Sequence, residues 1–239
     1  MKTRFRNIAV LLLTMLLDAH ASAATSLLST ENEHQLAAWL GRGSIAFNNI
    51  YTKALGDTAL DFHRAVDGKG ATFSVMEASN GSGQTWLIGG YNPQSWQSTG
   101  GYNMTYDNAA RTSFLFNLTR SEIHRQTPQS PIYDTVGAYQ AYNGANMGPT
   151  FGIGRDLFVP YNLTTNGVSL LYSYIDPAVG NFYTSILDGG PYTGPNVTFG
   201  AIQVFTISAV PEPASALMLV AGLGLMAAVR RRQARAPGM

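Results

Sequence analysis

Four histidines, His20, His34, His63 and His124, and the carboxylates Asp57, Asp61, Asp67 and Asp156 are the side chains through which this chain could do acid–base or metal chemistry. The chain has no cysteine, which removes thiolate nucleophiles, disulfides and Cys-built zinc or iron–sulfur sites. No H-E-x-x-H pair is present, and Glu122-Ile123-His124 is not a metal-ligand spacing on its own. No G-x-S-x-G elbow offers an activated serine. Gly68-Lys69-Gly70 lacks the upstream glycine and the Ser/Thr of a phosphate-cradling loop. His63 and Asp61 have no marked nucleophile to activate, so His63 reads as an imidazole held by hydrogen bonds for structural ends. Asp57, Asp61 and Asp67 carry oxygens suited to calcium, but the loop spacing of an EF-hand is absent. Gly154-Arg155-Asp156 reads as an ion pair within a loop. The expectation is therefore no catalytic residue, no cofactor and no metal site. The alternative is a hydrolase of matrix glycans acting through Asp61, Asp67 or Asp156, which needs two carboxylates about 5–10 Å apart in a cleft.

The elements that must position these residues change character along the chain. Thr30-Glu31-Asn32-Glu33 has capping-box spacing, and Leu36, Ala37, Trp39 and Leu40 give an apolar face that stops at Gly41. Asp57 is placed to cap a second helix over residues 58–66, with Leu60, Phe62 and Val66 turned partly inward and Gly68 beyond its end. From there the pattern becomes strand-like. Residues 71–78 and 84–91 read as a hairpin around Ser79-Asn80-Gly81-Ser82-Gly83. Residues 113–118, 138–142, 156–159, 168–174 and 197–207 are further strand candidates, separated by Gly, Asn and Pro clusters. Helices followed by many short strands predict an α+β, β-rich fold: a two-sheet antiparallel β-sandwich with a few flanking helices. Trp39, Trp86, Trp96, Phe114, Phe116 and Phe151 are expected in its core. Gly89 and Gly90 fit close backbone approach inside a strand, Gly148-Pro149 a turn, and Gly152 and Gly154 bulges or tight loops. Five N-x-[ST] sequons, at Asn80, Asn103, Asn117, Asn162 and Asn196, are expected partly on loops.

The two ends read as addresses rather than as fold. The 239 residues carry 15 Lys+Arg against 14 Asp+Glu, so no charge footprint for nucleic acid exists. Much of the basic charge sits in Lys2, Arg4 and Arg6 and in Arg230, Arg231, Arg232 and Arg235, which leaves the body between mildly acidic. A basic start, an apolar run over residues 8–17, and small residues at Ala21 and Ala23 form a three-part secretory signal over residues 1–23. Its apolar helix is too short to span a bilayer. At the other end Pro211-Glu212-Pro213 precedes an uncharged stretch over residues 214–229 and then Arg230-Arg231-Arg232. As a helix that stretch reaches about 24 Å, a thin transmembrane span that snorkelling arginines would assist, with residues 230–239 cytoplasmic. This tail, residues 210–239, resembles a PEP-CTERM sorting signal. The resemblance implies export from a Gram-negative cell, an inner-membrane-anchored intermediate, cleavage near Pro211–Pro213 by an exosortase, and delivery to the cell surface or the extracellular matrix. Signal peptidase and the exosortase would be its processing enzymes.

The body, residues 24–209, carries a second resemblance. Asp61-Phe62-His63 leads to Val66-Asp67-Gly68-Lys69-Gly70, and Trp86 with Gly89-Gly90-Tyr91 leads to Ser95-Trp96. Phe114-Leu115-Phe116-Asn117-Leu118 follows, then Gly148-Pro149-Thr150-Phe151-Gly152-Ile153-Gly154-Arg155-Asp156-Leu157, and finally Phe199 with Gln203-Val204-Phe205. In this order the blocks resemble a TLDc domain, whose fold, two antiparallel sheets packed face to face with helices around them, agrees with the reading above. Val66 stands where many members carry Cys, and Gln203 and Phe205 where they carry Glu and Trp. The two addresses and the missing catalytic constellation lead to the expectation of a non-enzymatic surface or matrix module, with an exopolysaccharide, an envelope protein or a copy of itself as candidate partners. A further alternative, which the resemblance implies by analogy with eukaryotic members, is protection against oxidative damage.

Overall fold

Ser29, one residue ahead of the expected Thr30, starts the first helix: its Oγ accepts the amide of Asn32 at 3.2 Å. In this computed structural model residues 25–133 and 135–210 are described, together with Leu223 and Met226. The helix, α1 (Thr30–Leu40), ends at Gly41, whose φ of 69° a side chain would strain. The second helix, α2 (Ala59–Val66), is capped by Thr58, not Asp57: the Thr58 amide and hydroxyl both donate to Asp61 Oδ2, at 2.9 and 3.0 Å. Asp57 instead closes the preceding turn, accepting the Ala54 amide and the Tyr51 hydroxyl. Phe62 and Val66 face inward as expected, whereas Leu60 points out.

Ten strands follow the two-sheet plan. They are β1 (Ile45–Thr52), β2 (Thr72–Ser79), β3 (Trp86–Asn92), β4 (Tyr102–Met104), β5 (Phe114–Asn117), β6 (Glu122–Arg125), β7 (Tyr139–Tyr142), β8 (Thr150–Phe151), β9 (Leu157–Phe158) and β10 (Thr198–Ala209). One sheet has six strands in the order β1-β10-β2-β3-β5-β6, the other four in the order β4-β7-β8-β9. Every pairing between named strands is antiparallel. The expected β2–β3 hairpin is present, in register from Thr72 opposite Asn92 to Ala78 opposite Trp86.

The six-stranded sheet is buried on both faces. Met76, Ile88, Leu115, Ile202 and Val204 meet Ala141, Phe151 and Leu157 of the smaller sheet in the main core, where α2 adds Phe62 and Val66. On the opposite face Phe73, Val75, Tyr91, Phe114, Phe116 and Phe205 are covered by Leu36, with Trp39 and Leu40 at the margin. Layers therefore run helix, sheet, sheet, and β2 and β5 are buried along nearly their whole length. Trp39 is half-buried, while Trp86 and Trp96 are in the core.

Three departures from the sequence reading stand out. The edge strands β1, β4 and β6 carry mixed patterns that gave no strand signal. Thr150–Phe151 pairs as β8 within the block read as turns. Residues 168–174, expected as a strand, form only an isolated bridge at Val168, because their amides turn inward to a carboxylate described below. Among the described residues no helix is long and apolar enough to cross a membrane. The expected signal helix and most of the span over residues 214–229 lie outside the described residues, as do Ala21, Ala23, Pro211, Glu212, Pro213 and Arg230, Arg231 and Arg232; Leu223 and Met226 are helical.

Candidate functional site

The motif residues converge on one buried hub built around Trp96. Its ring packs edge-on against Phe62 at 5.5 Å and Phe151 at 5.4 Å, and its Nε1 donates to Thr72 Oγ1 at 2.9 Å. The chain leaving α2 is tied to the same place. Asp67 bridges Trp96, the Gly68 amide donates to Trp96 O at 3.1 Å, and the Gly70 amide donates to Ser95 Oγ at 2.9 Å. Gly89 and Gly90 lie in β3 where rings press on the backbone: a Cβ at Gly89 would overlap Ser74 O and the Phe116 ring, and one at Gly90 the Phe151 ring. Gly148 is buried under Val159 and Leu163, next to buried Pro149, and Gly154 lies against Tyr172.

His63 is buried at 4% exposure and links α2 to the loop before β8. Its Nδ1 is 2.7 Å from Asp67 Oδ1, and its Nε2 is 3.0 Å from both Gly144 O and Met147 O. Every atom facing the ring is an acceptor: one carboxylate oxygen and two backbone carbonyls.

Asp156 is fully buried. Its Oδ1 accepts the amides of Tyr172, Ser173 and Tyr174 at 2.6, 2.7 and 2.9 Å. This is why residues 168–174 do not run as a strand. Burial pushes the Asp156 carboxyl up to about 7, against the opposing pull of those amides. Its Oδ2 has no partner, and Gly152 must lack a Cβ to leave it room. The expected ion pair with Arg155 is not what the loop uses: the Arg155 guanidinium lies over the Phe158 ring at 4.6 Å. The three carboxylates named for hydrolysis thus work in three places. Asp61 caps α2 and meets Arg64 at 2.7 Å, Asp67 holds His63, and Asp156 holds three amides.

Among the described residues no group of three or more His, Asp or Glu side chains is placed to hold a metal ion. The sequence reading missed a different cluster. Glu122, His124 and Asp176 border one hollow of about 390 Å3 with Arg120 and Asn181. Arg120 Nε and Nη2 both meet Glu122 Oε1, at 3.0 and 2.8 Å. Burial lowers the pKa of His124 below the usual histidine range, and its Nε2 has no partner. Only Glu122 and His124 are close in sequence, as E-I-H; Asp176 comes from a loop that no local pattern connects to them.

The order of strands and the hub built from the family-like blocks are thus in place. A TLDc domain model matches residues 22–207, most of the chain. The chain belongs to the TLDc domain family. A PEP-CTERM protein-sorting motif matches residues 209–233, so this TLDc domain carries a signal for exosortase-dependent export towards the cell surface or the outside. No curated protein matches the chain.

Proposed function

We propose that this chain is a surface or extracellular-matrix protein whose TLDc sandwich is a non-enzymatic interaction domain. The observation that carries the reading is adjacency. The last strand, β10, ends at Ala209, and the sorting motif begins at residue 209. The folded body is therefore the cargo of the sorting signal, with almost nothing between the two. The binding partner would be an exopolysaccharide or an envelope protein. The test compares the full chain with a variant ending at Val210. The full chain should reach the surface or matrix, the shortened chain should stay in the periplasm or medium, and substrate panels should show no turnover. Turnover abolished by one substitution in the body would overturn the non-enzymatic part.

A glycan hydrolase is the second reading, supported by Glu122 and Asp176 on one hollow beside His124. Sugar fragments released by the wild type but not by Asp176→Asn would favour it.

A further inference from the structure

Residues 185–190 stand between two hollows, and Ser185 borders both. The first hollow, about 430 Å3, is formed by the β2–β3 hairpin tip and the loop before β10. The second, about 390 Å3, is the one beside His124. Each is within the roughly 300–1,000 Å3 range of small-molecule sites.

The wall between them is braced from behind. Asn117, buried at the end of β5, donates from Nδ2 to Ile186 O and Leu187 O at 2.8 and 2.9 Å. Arg120 Nη1 donates to Asp188 O at 2.9 Å. Asp188 is fixed as well, with Oδ1 accepting the Gly190 amide at 2.9 Å and Oδ2 accepting Asn80 Nδ2 at 2.8 Å. Each of these oxygens keeps acceptor capacity for a ligand. Ser169 and Ser185 hydroxyls accept the amides of Ile186 and Leu187 and retain their own O–H to donate. A site held this way loses little freedom when it binds.

The lining of the first hollow has a definite chemistry. It contains amides, hydroxyls, one carboxylate and the rings of Pro191 and Tyr192, with no Lys, Arg, Leu, Ile, Val or Met side chain. A peptide side chain finds no apolar pocket there, and an anion meets Asp188 with no cation on the lining to balance it. A neutral sugar fits. Each of its hydroxyls donates and accepts, as this mixture of groups requires, and its C–H face suits the half-exposed Tyr192 ring.

The second hollow differs: Arg120, Glu122 and Asp176 give it charge, and Ile123 and Val179 an apolar side. Asn181 Oδ1 accepts the Asp176 amide at 2.9 Å, which fixes the side-chain orientation and turns Nδ2 to His124 Nδ1 at 3.4 Å. In the neutral ring the proton is then on Nε2, which is enclosed by protein and offers no hydrogen bond to a ligand in the hollow.

We propose that the first hollow binds a neutral saccharide chain, with Asn80, Asp188, Tyr192 and Asn196 holding one of its sugars. This rests on the reading of the domain as an interaction module and names its partner class.

The test is calorimetric titration of the full-length protein, in a detergent without a sugar headgroup, with cello-, xylo-, manno- and maltotetraose and with tetragalacturonate. At least one neutral tetrasaccharide should bind at millimolar concentration or below, more tightly than the acidic one. Tyr192→Ala and Asn196→Ala, both at exposed positions, should each weaken that binding about tenfold with an unchanged melting temperature. Tyr161→Ala, in a separate hollow, should not. Absence of binding by all four neutral probes, preference for the acidic one, or full affinity in both variants of the first hollow would overturn the proposal. Retention of the protein in the matrix, scored on the same strain, separates the two readings. Matrix retention with no sugar binding sinks the sugar site and leaves the interaction module standing. Release of sugar fragments sinks the non-enzymatic reading instead.

Discussion

At Asp156 two effects oppose each other, and their balance is measurable. Three backbone amides favour the carboxylate, while complete burial favours the neutral acid and prevails, bringing the group up to about 7. A folded-state value above the unfolded one contributes stability that is full below pH ~4 and lost as the pH rises through about 7. A rise of about three pH units corresponds to roughly 4 kcal/mol across that window. His124 slopes the other way, because its lowered value weakens the fold as the pH falls below ~6.5. The clean measurement is therefore the difference between wild type and Asp156→Asn in chemical denaturation from pH 4 to pH 8. The amide keeps Oδ1 for the three N–H groups but cannot titrate, so the wild type should gain on the variant as the pH falls. Asp156→Ala strips the three amides of their acceptor and should cost about 3 kcal/mol or more at every pH. Gln203 makes a second residue-scale case. Its Oε1 accepts the Leu27 amide at 2.7 Å and its Nε2 donates to Thr25 O at 3.1 Å, tying the entry segment to β10. Gln203→Glu, the residue many family members carry, would set an acceptor against Thr25 O. It should cost about 1–3 kcal/mol and loosen residues 25–28, read by amide hydrogen exchange.

At the scale of elements, β3 shows how far a sequence can be read. Gly89-Gly90 was legible as a site of close approach, and the rings of Phe116 and Phe151 are what approach it. Gly90→Ala should push Phe151 from its seat beside Trp96 and cost about 1–3 kcal/mol, whereas Gly81→Ala in the hairpin tip meets no neighbour and is strained only by its φ of 83°. Thermal melts of the two variants distinguish crowding from backbone strain. The central strands, the hairpin and α2 were legible because apolar runs and capping residues are local signals. The edge strands β1, β4 and β6 were not, since a half-exposed strand such as Ile45–Thr52 mixes Asn and Thr with Ile and Phe and has no clear period. Residues 168–174 looked like a strand and are not one, because a carboxylate distant in sequence collects their amides. The hub around Trp96 was legible through its motif blocks. The sugar site was not, because Asn80, Asp188 and Asn196 are ordinary loop residues until the hairpin tip meets the loop before β10.

At the scale of the whole molecule, the question is whether the body depends on its sorting tail. The strand that closes the sheet, β10, pairs with β1 from Ile45 opposite Ala209 to Thr52 opposite Gln203, and with β2 on its other side. Among the described residues its last tie to the rest of the domain is the Val210 amide, which donates to Ser44 O at 3.0 Å. Both main-core and outer-face side chains of β10, namely Ile202, Val204 and Phe205, lie well before that point. A cut at Pro211-Glu212-Pro213 falls after Val210, so every pairing and buried side chain described for β10 stays with the body. The cut form should melt at the temperature of the full-length chain, and its intact mass should place its end between residues 210 and 213. Cutting before Phe205 is a different matter. It removes a ring that closes the outer layer at 6.3 Å from Phe47 and takes away the pairing that holds β1, and no soluble folded product is expected. A melting temperature several degrees lower in the cut form than in the full chain would mean that the tail contributes to the fold, and the view of it as a detachable address would fail.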